Sequence, residues 1–202
     1  MPQIWGIFCK LAINFATNCI MKNIVFFLLL TGLTSVNSIA QEINWMSLEE
    51  AVALQKKTPK KIIMDVYTTW CGPCKMLDRN TFHNPDVVDY VNKNYYAVKF
   101  NAEGNDVVTF KGHTFSNPNY RPELANRRNS AHQLTSYFQV SAYPTIVFMD
   151  EQGGFLAPIT GYKTPTQLEL FLKMFKNDDH KKMDTQEKFN SYYADFKPEF
   201  KN

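Results

Sequence analysis

Residues 61–74 read KIIMDVYTTWCGPC, and the rest of the sequence is interpreted outward from this stretch. Lys61–Tyr67 is a largely apolar run that is too continuous for a half-exposed edge strand, and it predicts a central strand with Asp65 inside it. Cys71 and Cys74 follow directly, three positions apart. This arrangement predicts a redox pair at the junction of a strand and a helix.

The two cysteines are predicted to have different roles. A helix that begins near Cys71 places free backbone N–H groups and the positive end of the helix dipole beside its sulfur, which favours the thiolate. Cys71 is therefore the expected nucleophile, and Cys74, one helical turn later, is the expected resolving thiol. Pro73 lacks an N–H that the first turn leaves unpaired in any case, so its ring stiffens the motif at little cost.

Beyond this motif, the sequence resembles the thioredoxin superfamily in several separate features, which occur in the same order along the chain as in that family. Asp65 stands six residues before Cys71, where the family has a buried acid thought to move protons for the resolving cysteine. Lys99 matches the lysine that neighbours this acid. Tyr-Pro-Thr at 143–145 matches the cis-proline strand, and Gly161 fits the glycine that follows the last strand.

The resemblance implies an α/β architecture, the thioredoxin fold, with a central mixed β-sheet flanked by helices and an insertion before the cis-proline strand. A cis bond at Pro144 would expose the backbone of Tyr143 to an extended substrate, and Trp70 would form an apolar rim over the nucleophile. The expected catalytic residues are Cys71, Cys74, Asp65 and Lys99. The expected substrate-binding residues are Trp70, Gly72, Pro73, Tyr143 and Pro144.

Each of these assignments has a plainer alternative. Asp65 could be a surface acid, but inside an apolar strand a carboxylate costs several kcal/mol unless it is neutralised or paired. Pro144 could be an ordinary trans proline, and Trp70 could be a core residue. A Cys-x-x-Cys could also be half of a zinc site, but such a site needs four ligands. No second cysteine pair follows, and the histidines are scattered at His83, His113, His132 and His180, so no metal is expected.

The stretch TFHNPDV at 81–87 resembles one branch of the superfamily. That branch includes exported thioredoxin-like proteins and the periplasmic C-terminal domain of the DsbD thiol:disulfide interchange protein, and it keeps a T-F-x-x-P-x-V stretch after the cysteine helix. The resemblance covers about Trp45 to Phe175. It departs from the DsbD protein in having no multi-helix membrane domain within these 202 residues to supply electrons.

Residues 1–40 are predicted to be an N-terminal extension and a secretory signal peptide. Met21-Lys22-Asn23, an apolar run to Leu33 and Ser38-Ile39-Ala40 give the charged, hydrophobic and small-residue sections of such a signal. We expect the start at Met21 and cleavage after Ala40, hence a periplasmic or otherwise exported protein. The apolar section is short for a membrane anchor, and the sequence around Cys19 fits a lipoprotein signal poorly.

Removing residues 1–40 leaves 20 basic and 19 acidic residues, a formal charge of +1, and the two motif cysteines. This balance gives no electrostatic reason to expect nucleic acid or a membrane surface as a partner. Because no other cysteines remain, no structural disulfide framework is expected. We expect residues 41–202 to be one thioredoxin-like domain and a monomer.

Two segments extend the minimal fold. Residues 102–130 are predicted to be an insertion that contains a β-hairpin around Lys111-Gly112, and the C-terminal segment 184–196 is predicted to be a helix starting at Asp184 with Glu187. The insertion is either a solvated surface loop or a contributor to substrate selection. The candidates for selection are Tyr120, Arg121, Arg127 and Arg128.

The combined prediction is an exported thiol:disulfide oxidoreductase. Because the Gly-Pro dipeptide between the cysteines resembles that of reducing thioredoxins, we expect it to reduce disulfides in protein substrates, with no cofactor beyond the Cys71–Cys74 disulfide. An exported reductase needs a source of electrons. The predicted exported compartment and the resemblance to the thioredoxin superfamily suggest a membrane thiol transporter as this electron donor. The alternatives are a disulfide oxidase or isomerase, and a non-catalytic thioredoxin-fold binding or chaperone-like module.

Overall fold

The computed structural model describes residues 41–202. The predicted signal peptide, with its start at Met21 and its cleavage after Ala40, lies outside the described residues. The strands of the described part are β1 (Trp45–Met46), β2 (Lys61–Tyr67), β3 (Tyr95–Asn101), β4 (Val108–Phe110), β5 (His113–Phe115), β6 (Thr145–Met149) and β7 (Phe155–Thr160). The α-helices are α1 (Leu48–Gln55), α2 (Gly72–Leu77), α3 (Pro85–Asn94), α4 (Gln133–Tyr137), α5 (Pro165–Lys176) and α6 (Gln186–Asp195).

The main sheet has five strands in the order β1-β3-β2-β6-β7. β2 pairs parallel with β3 and antiparallel with β6, so it is the central strand that its apolar sequence predicts. In this register Asp65 lies between Lys99 on one side and Ile146 on the other. The two-residue strand β1 was not predicted, because so short a segment carries no alternation of apolar and polar residues.

The sheet separates two apolar clusters. One face carries Ile63 and Phe148 and packs against α2, α3 and α5. The other face carries Met64 and Val147 and packs against α1, α4 and the β4–β5 hairpin. Since both faces of β2 are covered, a polar side chain within that strand is shielded from water, and this explains the burial of Asp65.

Two helices begin at capping boxes, and the predicted start of the last helix is corrected. Ser47 with Glu50 and Thr164 with Gln167 both form complete capping boxes, as their spacing predicts. The prediction for the last helix was wrong by one residue. Thr185, rather than Asp184, is its N-cap and accepts a hydrogen bond from the Lys188 N–H.

The cysteine helix departs from a regular α-helix. α2 ends at Leu77, and the chain continues as a π-helical turn over Asp78–Phe82. Thr81 in this turn is fully buried, and its hydroxyl donates to the Lys163 carbonyl at 2.6 Å. The wide turn thus anchors the end of the helix to the loop before α5, while Asp78, where the turn begins, pairs with the ammonium of Lys99.

The predicted hairpin of the insertion is present. β4 and β5 pair antiparallel around Lys111 and Gly112, which have φ angles of 50° and 77°, the positive values that a tight two-residue hairpin turn requires. The loop that follows is held by side-chain hydrogen bonds. Asn117 is buried and donates to the carbonyls of Gly104 and Ser130 at 3.0 and 2.8 Å. The insertion is therefore an ordered part of the domain.

Candidate active site

The two cysteines lie at the start of α2, directly after the carboxyl end of the central strand. Their sulfurs are bonded to each other. Cys71 is the N-cap residue of α2, and its sulfur accepts a hydrogen bond from the backbone N–H of Cys74 at 3.1 Å. This donor would stabilise a thiolate on Cys71 once the disulfide is reduced. Only 3% of Cys71 and 4% of Cys74 are exposed, so a substrate sulfur must approach through the surrounding grooves.

Asp65 is buried inside the sheet beneath these cysteines. It is 2% exposed, and its Oδ1 has no hydrogen-bond partner among the described residues, while Oδ2 lies 3.9 Å from the Lys99 Nζ. Burial raises the pKa of Asp65 to about 7, with Lys99 opposing the shift and Asp78 adding to it. The carboxyl can therefore gain or lose a proton near neutral pH.

Lys99 lies between two carboxylates, one of which sequence analysis did not identify. Its ammonium pairs with Asp78, which is closer to it than Asp65 is. It also lies 5.1 Å above the Trp45 ring and 5.5 Å above the Tyr67 ring. Asp78 stands one helical turn after Cys74, and its backbone N–H donates to the Cys74 carbonyl, but it is 21 residues away from Lys99 in the sequence.

A cavity of about 180 Å³ joins Asp65 to Cys74, the predicted resolving cysteine. Its lining residues are Asp65, Tyr67, Thr68, Thr69, Cys74, Lys75, Asp78 and Lys99. Thr68 Oγ1 and Asp65 Oδ1 are both buried without a partner among the described residues. A water molecule occupies roughly 30 Å³ and bridges buried polar groups of this kind. The cavity is therefore large enough to hold water between Cys74 and Asp65.

A separate and larger groove of about 590 Å³ lies on the Cys71 side. We call it the Cys71 groove, and its lining residues are Trp70, Cys71, Gly72, Pro73, Glu103, Arg128, Ser141, Ala142 and Tyr143. The Tyr143–Pro144 bond is cis, as the resemblance predicts. Burial raises the pKa of Tyr143 to about 12, with Glu103 adding to the shift and Arg128 opposing it. The predicted substrate-binding residues other than Pro144 thus line one groove together with Cys71.

Glu103 is the second residue of the site that sequence analysis missed. Its Oε2 accepts hydrogen bonds from the Trp70 Nε1 and the Asn129 N–H, both at 2.7 Å. A signal for it exists in the topology. β2 and β3 are parallel, so the residues that follow them meet at the same edge of the sheet, and Glu103 follows β3 as Trp70 follows β2.

Three of the four candidates for substrate selection on the insertion line a groove, and the fourth does not. The Arg128 guanidinium lies 4.9 Å above the Trp70 ring. Tyr120 and Arg121 line a neighbouring groove that Arg128 shares. Arg127 is exposed and is not among the residues lining either groove. Within residues 41–202, no group of three His, Cys, Asp or Glu side chains is placed to hold a metal ion.

A cysteine pair that caps a helix after a central strand, beside a cis-proline and above a buried acid, defines the class of thiol–disulfide oxidoreductases. Comparison with known proteins agrees with this class. Residues 48–176 match the Thioredoxin-like domain family. The chain belongs to this family, and its fold is the thioredoxin fold.

Individual relatives share less than a third of their aligned residues with this chain. The chain is 26% identical to the thiol:disulfide interchange protein DsbD of Pectobacterium atrosepticum over 144 residues, which is 70% of this chain and 20% of that protein. It is 28% identical to the DsbD protein of Vibrio vulnificus over 131 residues, 64% of this chain and 18% of that protein. It thus spans about a fifth of the length of these relatives.

Among solved structures, the C-terminal domain of Neisseria meningitidis DsbD in the oxidised form is similar, with a TM-score of 0.42 and 18% identity. The match covers 64% of this chain and 90% of that domain. None of the helices formed by residues 41–202 is both long and apolar enough to cross a bilayer.

Proposed function

We propose that this protein is an exported thiol:disulfide oxidoreductase that reduces disulfides in client proteins through Cys71 and Cys74. The observation that carries the proposal is the position of the pair. Cys71 lines the larger groove and its sulfur accepts a hydrogen bond from a backbone N–H, while Cys74 lines a separate cavity together with the buried Asp65. The export part rests on the signal pattern of residues 21–40 alone.

The first step is an attack on the client disulfide in the Cys71 groove. The Cys71 thiolate forms a bond to one client sulfur, the client S–S bond breaks, and the other client sulfur leaves as a thiolate. The Cys74 N–H stabilises the attacking thiolate, and Trp70 and Tyr143 form the apolar wall of the groove.

The second step releases the client. Asp65, through water in the cavity of Cys74, accepts the proton of the Cys74 thiol, and the resulting thiolate attacks the Cys71 sulfur. The Cys71–Cys74 disulfide forms and the mixed disulfide breaks, so two electrons have passed from the protein to the client. Lys99 stabilises the ionised form of Asp65. The oxidised protein then needs a dithiol donor, for which we propose a membrane thiol transporter.

The reduction potential of the pair tests the direction of electron flow. We expect a value near about −270 mV, the range of reducing thioredoxins, on equilibration of the purified protein with dithiothreitol or glutathione. A value of about −120 to −180 mV would instead indicate an oxidase or isomerase. Absence of any exchange would exclude the catalytic function and leave the binding module.

A further inference from the structure

Two grooves meet at Arg128. The Cys71 groove has this residue on its wall, and so does a second groove of about 740 Å³ on the insertion, which we call the insertion groove. The residues lining the insertion groove are Asn119, Tyr120, Arg121, Arg128, Asn129 and Ser130. Together the grooves form a path along the surface from Cys71 past Arg128 to Tyr120.

The charge exposed along this path is positive. Neither Arg121 nor Arg128 forms an ion pair with a carboxylate of the described residues, and both are exposed. The acid on the path, Glu103, is only 8% exposed, and one of its oxygens already accepts two hydrogen bonds from the protein. The guanidinium groups are therefore available to a bound molecule, whereas the carboxylate is largely withdrawn from it.

The arginines are also held in position. Arg128 stacks on Trp70, and the backbone of the next residue, Asn129, is fixed by its hydrogen bond to Glu103. The Asn129 side chain in turn accepts from the Arg121 N–H at 3.1 Å and donates to the Arg121 carbonyl at 2.7 Å. Such preorganisation lowers the entropy that binding would otherwise cost.

We propose that the two grooves select client segments that carry an acidic side chain close to the reactive cysteine, an inference that rests on the proposed function. The segment lies extended across the Cys71 groove, and its carboxylate pairs with the guanidinium of Arg128. Arginine suits this role because its planar fork matches a carboxylate with two parallel hydrogen bonds. Arg121 extends the same preference into the insertion groove.

The test uses short peptides whose single cysteine is linked to 2-thiopyridine, a neutral leaving group with a measurable absorbance. Asp, Asn or Lys is placed in turn at each of the three positions on either side of the cysteine. The reduced protein is mixed with each peptide in single turnover at low ionic strength. At one or more positions we expect the Asp peptide to react about two- to fivefold faster than the Lys peptide, the size of an exposed charge pair.

Protein variants then test whether Arg128 produces this preference. We expect the Asp-to-Lys rate ratio to fall to about one in Arg128→Gln, and at high salt, because both remove the charge attraction. Arg127→Gln is the matched control, an exposed arginine one residue away, and it should keep the ratio. Because the ratio compares peptides on the same protein, a change in the intrinsic reactivity of Cys71 cancels.

The outcomes separate this inference from the proposed function. If the Asn peptide reacts but no position shows a charge preference, or if Arg127→Gln lowers the ratio as much as Arg128→Gln does, the inference is wrong while the oxidoreductase function stands. If no peptide reacts in a Cys71-dependent manner, both are wrong. Far-UV circular dichroism of each variant confirms that the comparison is between folded proteins.

Discussion

At the scale of single residues, Asp65 makes stability depend on pH in an unusual direction. Its carboxyl has a pKa of about 7 in the folded protein against an ordinary value of 3.8. Between these values the folded state binds more protons than the unfolded state, so the free energy of unfolding falls as pH rises. Below the lower value and above the higher one, this contribution is constant.

We therefore predict that Asp65→Asn becomes progressively more stable than the wild type between about pH 4 and pH 7. The gap should widen by at most about 1.4 kcal/mol per pH unit, because one proton per molecule is involved. Urea denaturation of both oxidised proteins across this range measures it. Unfolding free energies that run parallel in the two proteins would show that Asp65 titrates normally.

Asp78 and Lys99 should move the pKa of Asp65 in opposite directions. Asp78→Asn removes a charge that raises this pKa and frees Lys99 to approach Asp65, so the pKa falls. Lys99→Met removes the charge that lowers it, so the pKa rises. We predict that the pH at which mixed-disulfide resolution reaches half its maximal rate shifts down in the first variant and up in the second.

Rapid quenching followed by mass spectrometry of the Cys71 adduct measures this rate. Asp65→Asn should lose the inflection near pH 7 altogether, and Asp89→Asn, an exposed acid on α3, is the matched control that should leave it in place. Shifts in the same direction for Asp78→Asn and Lys99→Met would contradict the electrostatic account.

At the scale of elements, Glu103 connects the insertion to the cysteine motif. Its carboxylate accepts from Trp70 on the motif side and from Asn129 on the insertion side. We predict that Glu103→Ala lowers the opening free energy at the Asn129 amide by about 1.5–3 kcal/mol, the contribution of a hydrogen bond to a charged group. Hydrogen exchange of that amide, followed by NMR, measures it.

Glu103→Gln is the conservative control for this prediction, because an amide oxygen can still accept both hydrogen bonds. It should retain most of the protection. The amide of Ala97 in the core strand β3 reports whether global stability has changed. Unaltered exchange at Asn129 in Glu103→Ala would mean that the other hydrogen bonds of the loop hold the insertion without Glu103.

Most of the sheet and the cysteine site could be predicted because the signals are local. Lys61–Tyr67 reads as a buried strand from its own composition, and the capping boxes at Ser47 and Thr164 are complete within four residues. Asp78 and Glu103 could not be predicted in the same way. Their roles depend on side-chain contacts across 21 residues, from Asp78 to Lys99, and across 33 residues, from Trp70 to Glu103, which no short-range pattern encodes.

At the scale of the whole molecule, the C-terminal residues pack against the core of the domain. Glu169 on α5 is fully buried, and its carboxylate accepts from the backbone N–H groups of Glu199 and Phe200 at 2.8 Å. It also pairs with Lys173 at 2.7 Å. Phe200 lies against Tyr90 on α3, with the ring centroids 5.7 Å apart. The last residues thus close over α3 and α5.

We predict that Glu169→Ala lowers the free energy of unfolding by about 3 kcal/mol, because it leaves two backbone donors without an acceptor and opens a cavity. Glu199→Gln is the control. It alters the exposed partner of the same lysine but keeps its backbone N–H, so it should cost less than about 1 kcal/mol. Equal effects of the two changes, measured by chemical denaturation, would show that the Lys173 ion pairs rather than the buried hydrogen bonds stabilise the C-terminal segment.

The Cys71 groove and the cavity beside Cys74 share no lining residue. In the proposed function, a small molecule that fills the cavity would therefore inhibit release without inhibiting attack. Clients would accumulate as covalent adducts on an otherwise unaltered protein. Such an inhibitor would serve as a chemical trap for identifying clients inside living cells, with both cysteines in place and without a mutant strain.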